Sequence, residues 1–191
     1  MGEEPHIRWR SYADCLLHLC SHYAVREVYF VGSVAAPIPH TREPRLHSTF
    51  SDEQARARRY PQAALTEYEG PSSFITLFTR LAAQHGMQMQ SLVVEIPHYP
   101  FLDMPTYPAS ILKVLAALSW SLKLEFDLGN LRRAETDLRR ELDNLAAANE
   151  PFSELVSKLE EAYDLETSAA DEELLRRLMD QVDLGGDGSP E

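Results

Sequence analysis

Apolar and polar positions repeat along the chain with two different periods. Apolar side chains recur at helical spacing from Trp9 to Tyr23 and from Phe74 to Leu81, and Gly86 is placed to end the second helix. Short apolar runs rich in β-branched and aromatic residues predict strands at 27–34 and 90–96. Because the first of these runs is almost continuously apolar, we expect that strand to be buried on both faces, as in a parallel sheet.

The segments between these elements carry weaker patterns. Residues 37–50 are polar and proline-rich and predict a loop, whereas 52–60 predict a short helix with Ser51 as its N-cap. A further helix is predicted within 104–122. Two strands alone do not make a stable sheet, so more strands are expected, either from segments such as 62–67 or from elsewhere.

Long amphipathic helices are predicted after residue 130. The first has a single apolar stripe, formed by Leu131, Ala134, Leu138, Leu142 and Leu145. Two more helices are predicted around 152–163 and 174–182, and residues 184–191 are expected to be disordered. The pattern therefore predicts an α/β domain at 1–130, a helical extension at 131–183 and a disordered tail at 184–191.

The charge of the chain is concentrated in this extension. Residues 1–140 carry 15 acidic and 15 basic side chains, whereas 141–191 carry 15 acidic and three basic ones, which gives the whole net charge of −12. An acidic region of this kind repels nucleic acid and anionic membranes. We expect no secretory leader and no membrane span, and we expect Cys15 and Cys20 to be reduced, which favours the cytoplasm.

The candidate chemistry lies where the two predicted strands end. One is followed by Pro39-His40-Thr41-Arg42 and the other by Pro97-His98-Tyr99. Ligands of open α/β sheets bind beyond the carboxyl ends of the strands, and a guanidinium beside an imidazole and a hydroxyl suits an anion. The alternative is structural: the proline and histidine shape the loop, and Arg42 pairs with a carboxylate of the same or a neighbouring subunit.

A second candidate is the predicted helix start at Ser72 and Ser73. Backbone N–H groups at a helix start favour anions, but N-capping explains both serines equally well. Either serine with His98 would suggest acyl transfer, yet no Gly-x-Ser-x-Gly motif is present. His40 and His98 lack a Cys, Asp or Glu at metal-ligand spacing. We therefore predict no catalytic residue, no metal and no cofactor.

The motifs together resemble one known family. The resemblance of this chain to the family rests on five motifs: Pro39-His40-Thr41-Arg42, Tyr68-Glu69-Gly70-Pro71-Ser72-Ser73, Pro97-His98-Tyr99, Tyr107-Pro108-Ala109 and Asp127-Leu128-Gly129. In this order and spacing they resemble prokaryotic members of the proteasome assembly chaperone 2 family over residues 7–165. The resemblance implies a three-layer α/β/α sandwich similar to purine nucleoside phosphorylases, with a C-terminal helical extension. It covers the carboxyl two-thirds of the family domain, so the sheet is expected to be incomplete at its N-terminus.

The resemblance also implies a function. We expect a non-catalytic protein-interaction module that works as a homo-oligomer and binds itself or another protein. Tyr68, Tyr99, Tyr107 and Arg42 are the expected anchors, because aromatic and arginine side chains dominate many interfaces. The alternative is a nucleoside- or anion-binding protein, or an enzyme related to nucleoside phosphorylases. The ending Gly188-Ser189-Pro190-Glu191 lacks the hydrophobic-Tyr-any pattern of members that dock on the proteasome through their tails, so such docking is not expected.

Overall fold

A computed structural model of the chain describes residues 6–57, 60–65 and 73–183. Its elements follow one another as α1 (Trp9–His22), β1 (Glu27–Ala36), β2 (Leu46–Phe50), α2 (Glu53–Ala57), β3 (Ala63–Leu65), α3 (Phe74–Gln84), β4 (Gln88–Pro97), α4 (Pro108–Leu122), α5 (Gly129–Ala148) and α6 (Glu150–Asp183). The chain forms two compact units. The first contains the chain up to Ala36 together with Pro44–Glu135, and the second contains Pro37–Glu43 together with the chain from Thr136 onward.

A four-stranded mixed sheet, in the order β1-β4-β2-β3, forms the centre of the first unit. β1 runs parallel to β4 over ten residue pairs, from Glu27 opposite Gln88 to Ala36 opposite Pro97. β2 runs antiparallel to β4 and parallel to β3. The two long strands therefore end side by side, which brings the two predicted strand-to-loop junctions to the same edge of the sheet.

Helices cover both faces of this sheet. On one face, Met89 packs in a core with Leu17 of α1 and Phe78 of α3. On the other face, Leu92 and Val94 pack against Val114 and Ala117 of α4. The alternation of β4 side chains thus sends successive residues into two separate cores. The fold is α/β with three layers, as predicted.

The strands differ from the prediction in two places. β1 lies at an edge of the sheet in the described part of the chain, and Val31 and Val34 are each 48% exposed, so the expected burial on both faces is wrong. β2 lies inside the segment predicted as a loop, because its five residues are too few and too polar to show a clear period. The strand suspected within 62–67 is confirmed as β3.

Local side-chain chemistry sets the helix ends. The side chain of Asp52, and not that of Ser51, accepts the hydrogen bond from Ala55 N–H at 2.8 Å and caps α2. Ser73 caps α3 by accepting from Thr76 N–H at 3.2 Å. Gly86 follows α3 with a φ of +71°, the left-handed conformation that glycine adopts without strain. The predicted end of this helix is therefore confirmed.

Up to residue 183, the second unit consists of the loop, most of α5 and α6. Leu142 of α5 is buried, as are Phe152 and Val156 of α6. α6 continues for 34 residues, so the prediction of two separate helices in this region is wrong. Residues 164–170 lie between the two predicted helices and are all exposed, so no apolar stripe continues through them. Their backbone is nevertheless helical. The expected disordered tail lies outside the described residues.

Candidate functional site

The loop Pro37–Glu43 carries the candidate motif and belongs to the helical unit. Ile38 and His40 are buried, with exposed fractions of 2% and 4%, and the N–H of Arg42 donates to the carbonyl of Pro39 at 3.3 Å. The two prolines at 37 and 39 restrict the backbone, and this turn closes it. The loop is thus held in one conformation that presents three consecutive polar side chains.

Arg42 forms the strongest polar contact of this loop. Its Nε and Nη2 donate to the two carboxylate oxygens of Asp164 at 2.9 and 2.8 Å, and its Nη1 donates to Glu160 Oε1 at 3.1 Å. Thr41 Oγ1 donates to the same Glu160 oxygen at 2.6 Å. The guanidinium fork matches a carboxylate in two parallel hydrogen bonds. The contact lowers the pKa of Asp164 through its hydrogen bonds with Arg42 and raises the pKa of Arg42.

His40 is fixed by a different helix. Its Nε2 donates to Asp143 Oδ1 of α5 at 3.3 Å, and its ring stacks on Phe152 with centroids 6.0 Å apart. Burial lowers the pKa of His40, although the nearby carboxylates of Asp143 and Glu160 oppose this shift. The guanidinium of Arg139 acts in the same direction as burial. The imidazole therefore favours its neutral form.

These contacts decide what the loop can do chemically. The carboxylates of Asp143, Glu160 and Asp164 occupy the hydrogen-bonding positions of the imidazole, hydroxyl and guanidinium. A bound anion would have to displace these groups and would meet their negative charge. The geometry therefore agrees with the structural alternative, in which Arg42 pairs with a carboxylate of its own chain. Tyr163 adds a further tie, because its hydroxyl donates to the carbonyl of Glu43 at 2.9 Å.

The other predicted site residues lie in the first unit or outside the described residues. His98 is exposed, and its N–H donates to the carbonyl of Ala36 at 3.2 Å, where the two strands end. Tyr99 and Tyr107 are buried, with exposed fractions of 1% and 6%, which is typical of packing side chains. Ser73 serves as a helix cap. Tyr68 and Ser72 lie outside the described residues.

A partly buried hydrogen bond between side chains of the sheet was not predicted. His47 Nε2 of β2 donates to Glu95 Oε1 of β4 at 2.9 Å, and the second oxygen, Glu95 Oε2, is buried without a hydrogen-bond partner in the described structure. An unsatisfied buried carboxylate oxygen costs about 1–3 kcal/mol, so such groups point to special positions. No local sequence signal shows the strand that carries this histidine, because His47, Ser48 and Thr49 are three consecutive polar residues.

Two kinds of site were also sought directly. In the described ranges, no group of three or more His, Cys, Asp or Glu side chains is arranged to hold a metal ion. Among the described helices, none combines the length and the apolar character needed to cross a bilayer.

Solved structures place this fold in a known class. The chain is similar to a protein of unknown function from Corynebacterium glutamicum, with a TM-score of 0.76 and 23% identity over 88% of this chain and 61% of that one. It is similar to a PAC2 family protein from Streptomyces avermitilis, with a TM-score of 0.68 and 28% identity over 81% of this chain and 63% of that one. A Mycobacterium tuberculosis proteasome-assembly chaperone homologue matches with a TM-score of 0.68 and 26% identity, over 81% and 64%.

The family follows from a sequence match. The PAC2 family model matches residues 1–146, so the chain belongs to the PAC2 family, as its motifs indicated. No curated protein sequence matches the chain. The chain spans about three-fifths of the length of the solved structures it resembles.

Proposed function

We propose that this chain is a non-catalytic, chaperone-like protein-binding module that works as a homo-oligomer in the cytoplasm. Membership of the PAC2 family supports the proposal, as does the likeness to a proteasome-assembly chaperone homologue. The polar side chains of the Pro39–Arg42 motif support it too, because they pair with carboxylates of the same chain. In this proposal the motif maintains the structure of the helical unit and takes no part in a reaction.

The edge of β1 that has no neighbouring strand in the described residues carries the proposal. This strand has ten residues, pairs with β4 on one side and, after Glu27, contains no charged side chain and no proline. Val31, Ser33 and Ala35 project to the same side and are exposed. Natural edge strands are usually protected by lysine, proline or a bulge, because an unprotected edge invites pairing with another strand. A ten-residue edge without these features is suited to adding a strand.

The occupant in this proposal is β1 of a second copy. Two identical edges can pair antiparallel around a two-fold axis, which is the commonest symmetry of homo-oligomers. Main-chain hydrogen bonds would supply the affinity, and the exposed side chain of Val31 would be partly buried at the contact. The resulting sheet would have eight strands, within the usual range for open sheets.

Sedimentation velocity of the full chain tests this proposal. We expect a species of at least twice the 21.7-kDa chain mass at micromolar concentration. A double variant, Val31→Lys with Ser33→Lys, places two charges on the edge and should shift the distribution to monomer. Both positions are exposed, so the variant should keep the circular dichroism spectrum of the native chain.

A matched control separates edge pairing from a general effect of charge. Leu165→Lys with Ala169→Lys adds the same two charges at exposed positions of α6 and should leave the oligomer intact. A monomeric native chain would contradict the proposal. An oligomer that survives the edge variant unchanged would contradict the assignment of the interface to β1.

A further inference from the structure

A cavity of about 800 Å³ lies between α3 and one face of the sheet, entirely within the first unit. Its apolar wall is formed by Phe30, Val34, Ile75, Ala83 and Val93. This volume is within the range of small-molecule sites, which are largely apolar with a few polar groups. Gly32 lets the ring of Phe30 lie close to the strand, because an added Cβ would lie 2.9 Å from that ring and 3.9 Å from Val93.

Most polar groups on the cavity wall already have partners. His47 pairs with Glu95, and the hydroxyls of Thr49 and Ser91 lie 2.6 Å apart. Thr79 Oγ1 donates to the carbonyl of Ile75 at 2.8 Å, in the manner of helical threonines. A ligand would therefore find few unused hydrogen-bonding groups along the wall, and its body should be apolar.

Arg80 is the exception. This exposed side chain of α3 lines the cavity, and no ion-pair partner for it lies in the described residues. Among the described residues that line the cavity, Arg80 is the only lysine, arginine, aspartate or glutamate. The permanent charge that the cavity wall presents to a ligand is therefore a single positive one.

The strand register gives the length of the cavity. Thr79 contacts the sulfur of Met89 at 3.3 Å, which places the Arg80 turn of α3 beside the start of β4. His47 lies opposite Val93, four residues further along the strand. At about 3.3 Å per residue, these two ends are roughly 13 Å apart.

We propose that this cavity binds a small amphipathic monoanion, with its anionic head on Arg80 and an extended apolar body over Phe30 and Val93. Charge complementarity favours an anionic head, because Arg80 would repel a cation and would not be paired by a neutral molecule. The length of the cavity selects a medium-chain body. The site lies on the opposite face of β1 from Val31.

Octanoate is the probe, with octanol as its neutral counterpart, in isothermal titration calorimetry of the full chain. We expect octanoate to bind and Arg80→Gln to weaken its binding about tenfold, which corresponds to ~1.4 kcal/mol. The same substitution should change octanol binding by less than about twofold. Arg10→Gln removes an exposed arginine of α1 that does not line the cavity, and it should leave both affinities unchanged.

Filling the cavity gives an independent readout. Ala83→Trp places a large side chain on the α3 wall and should abolish binding of both probes, and Ala83→Leu should weaken both by a smaller factor. Retained helical ellipticity would show that each variant is folded. No octanoate binding at millimolar concentration would overturn the proposal, as would binding that is equal in the native chain, Arg80→Gln and Ala83→Trp.

Discussion

Arg42 shows how one side chain can hold a loop without acting on a ligand. Its guanidinium donates three hydrogen bonds to Glu160 and Asp164, which lie one turn apart on α6. Exposed ion pairs contribute little on their own, but bidentate geometry and a shared carboxylate make this contact more specific than an isolated pair. The sequence motif therefore marks an attachment point, and its residue types alone could not distinguish this from an anion site.

His40 adds a dependence of stability on pH. An unfolded histidine has a pKa near 6.5, and burial lowers the pKa of His40 in the folded chain. Just below pH ~6.5 the imidazole is therefore protonated in the unfolded chain but still neutral in the folded chain. The free energy of unfolding should fall as the pH falls from ~6.5 to the pKa of folded His40. Above pH ~6.5 this group makes no pH-dependent contribution.

Urea unfolding at pH 7.5, 6.5 and 5.5 measures this effect. His40→Gln should lose the part of the pH dependence that comes from the imidazole, whatever its stability at pH 7.5. The charged groups around the ring, Asp143, Glu160 and Arg139, are present in both the native chain and the variant, so they do not account for a difference between the two. Equal slopes for the native chain and His40→Gln would contradict the assignment.

At the scale of elements, periodic segments were predictable and non-periodic ones were not. α1, α3 and β4 were found because their apolar residues repeat with a clear period and their ends carry recognisable residues such as Gly86. β2 has five residues, of which His47, Ser48 and Thr49 are polar, so nothing local separates it from a loop. Its pairing with β4 depends on residues 40 or more positions away, which a local pattern does not contain.

The end of α3 offers a test at this scale. Gly86 has a φ of +71° and open space where a Cβ would be, so Gly86→Ala should cost about 1–2 kcal/mol from backbone strain alone. Gly129→Ala is the control. There φ is not positive, and the nearest atom to an added Cβ is Asp127 Oδ1 at 3.3 Å, on a flexible side chain.

Urea unfolding of both variants separates strain from crowding. Gly86→Ala should be clearly less stable than the native chain, whereas Gly129→Ala should lie within about 0.5 kcal/mol of it. Equal stabilities of the two variants would show that the left-handed conformation does not set the end of α3.

At the scale of the whole molecule, the sequence anticipated the fold class and the family but not the grouping of the loop. Chain order places Pro37–Glu43 inside the α/β segment, whereas its contacts place it in the helical unit. A pattern read along the chain does not contain a pairing over 122 positions, such as that between Arg42 and Asp164. The boundaries at 130 and 183 remain predictions.

The grouping of the loop Pro37–Glu43 with the helical unit explains part of the acidic C-terminal region. Residues 141–191 contribute the whole net charge of −12, and two of their carboxylates meet the guanidinium of Arg42. The remaining acidic side chains keep this region unfavourable for nucleic acid and anionic surfaces. Protein binding remains our proposal, and membership of the PAC2 family supports it.

Hydrogen–deuterium exchange of the β1 amides, followed across protein concentration, directly tests whether β1 pairs with β1 of a second copy. Edge amides that face away from β4 exchange freely in a monomer and are protected when a second strand pairs with them. We expect the amides of 27–36 to exchange more slowly as the protein concentration rises through the range in which the chain associates in sedimentation. The exchange of β4 amides should stay unchanged. Association without any change in β1 exchange, or no association at all, would contradict it.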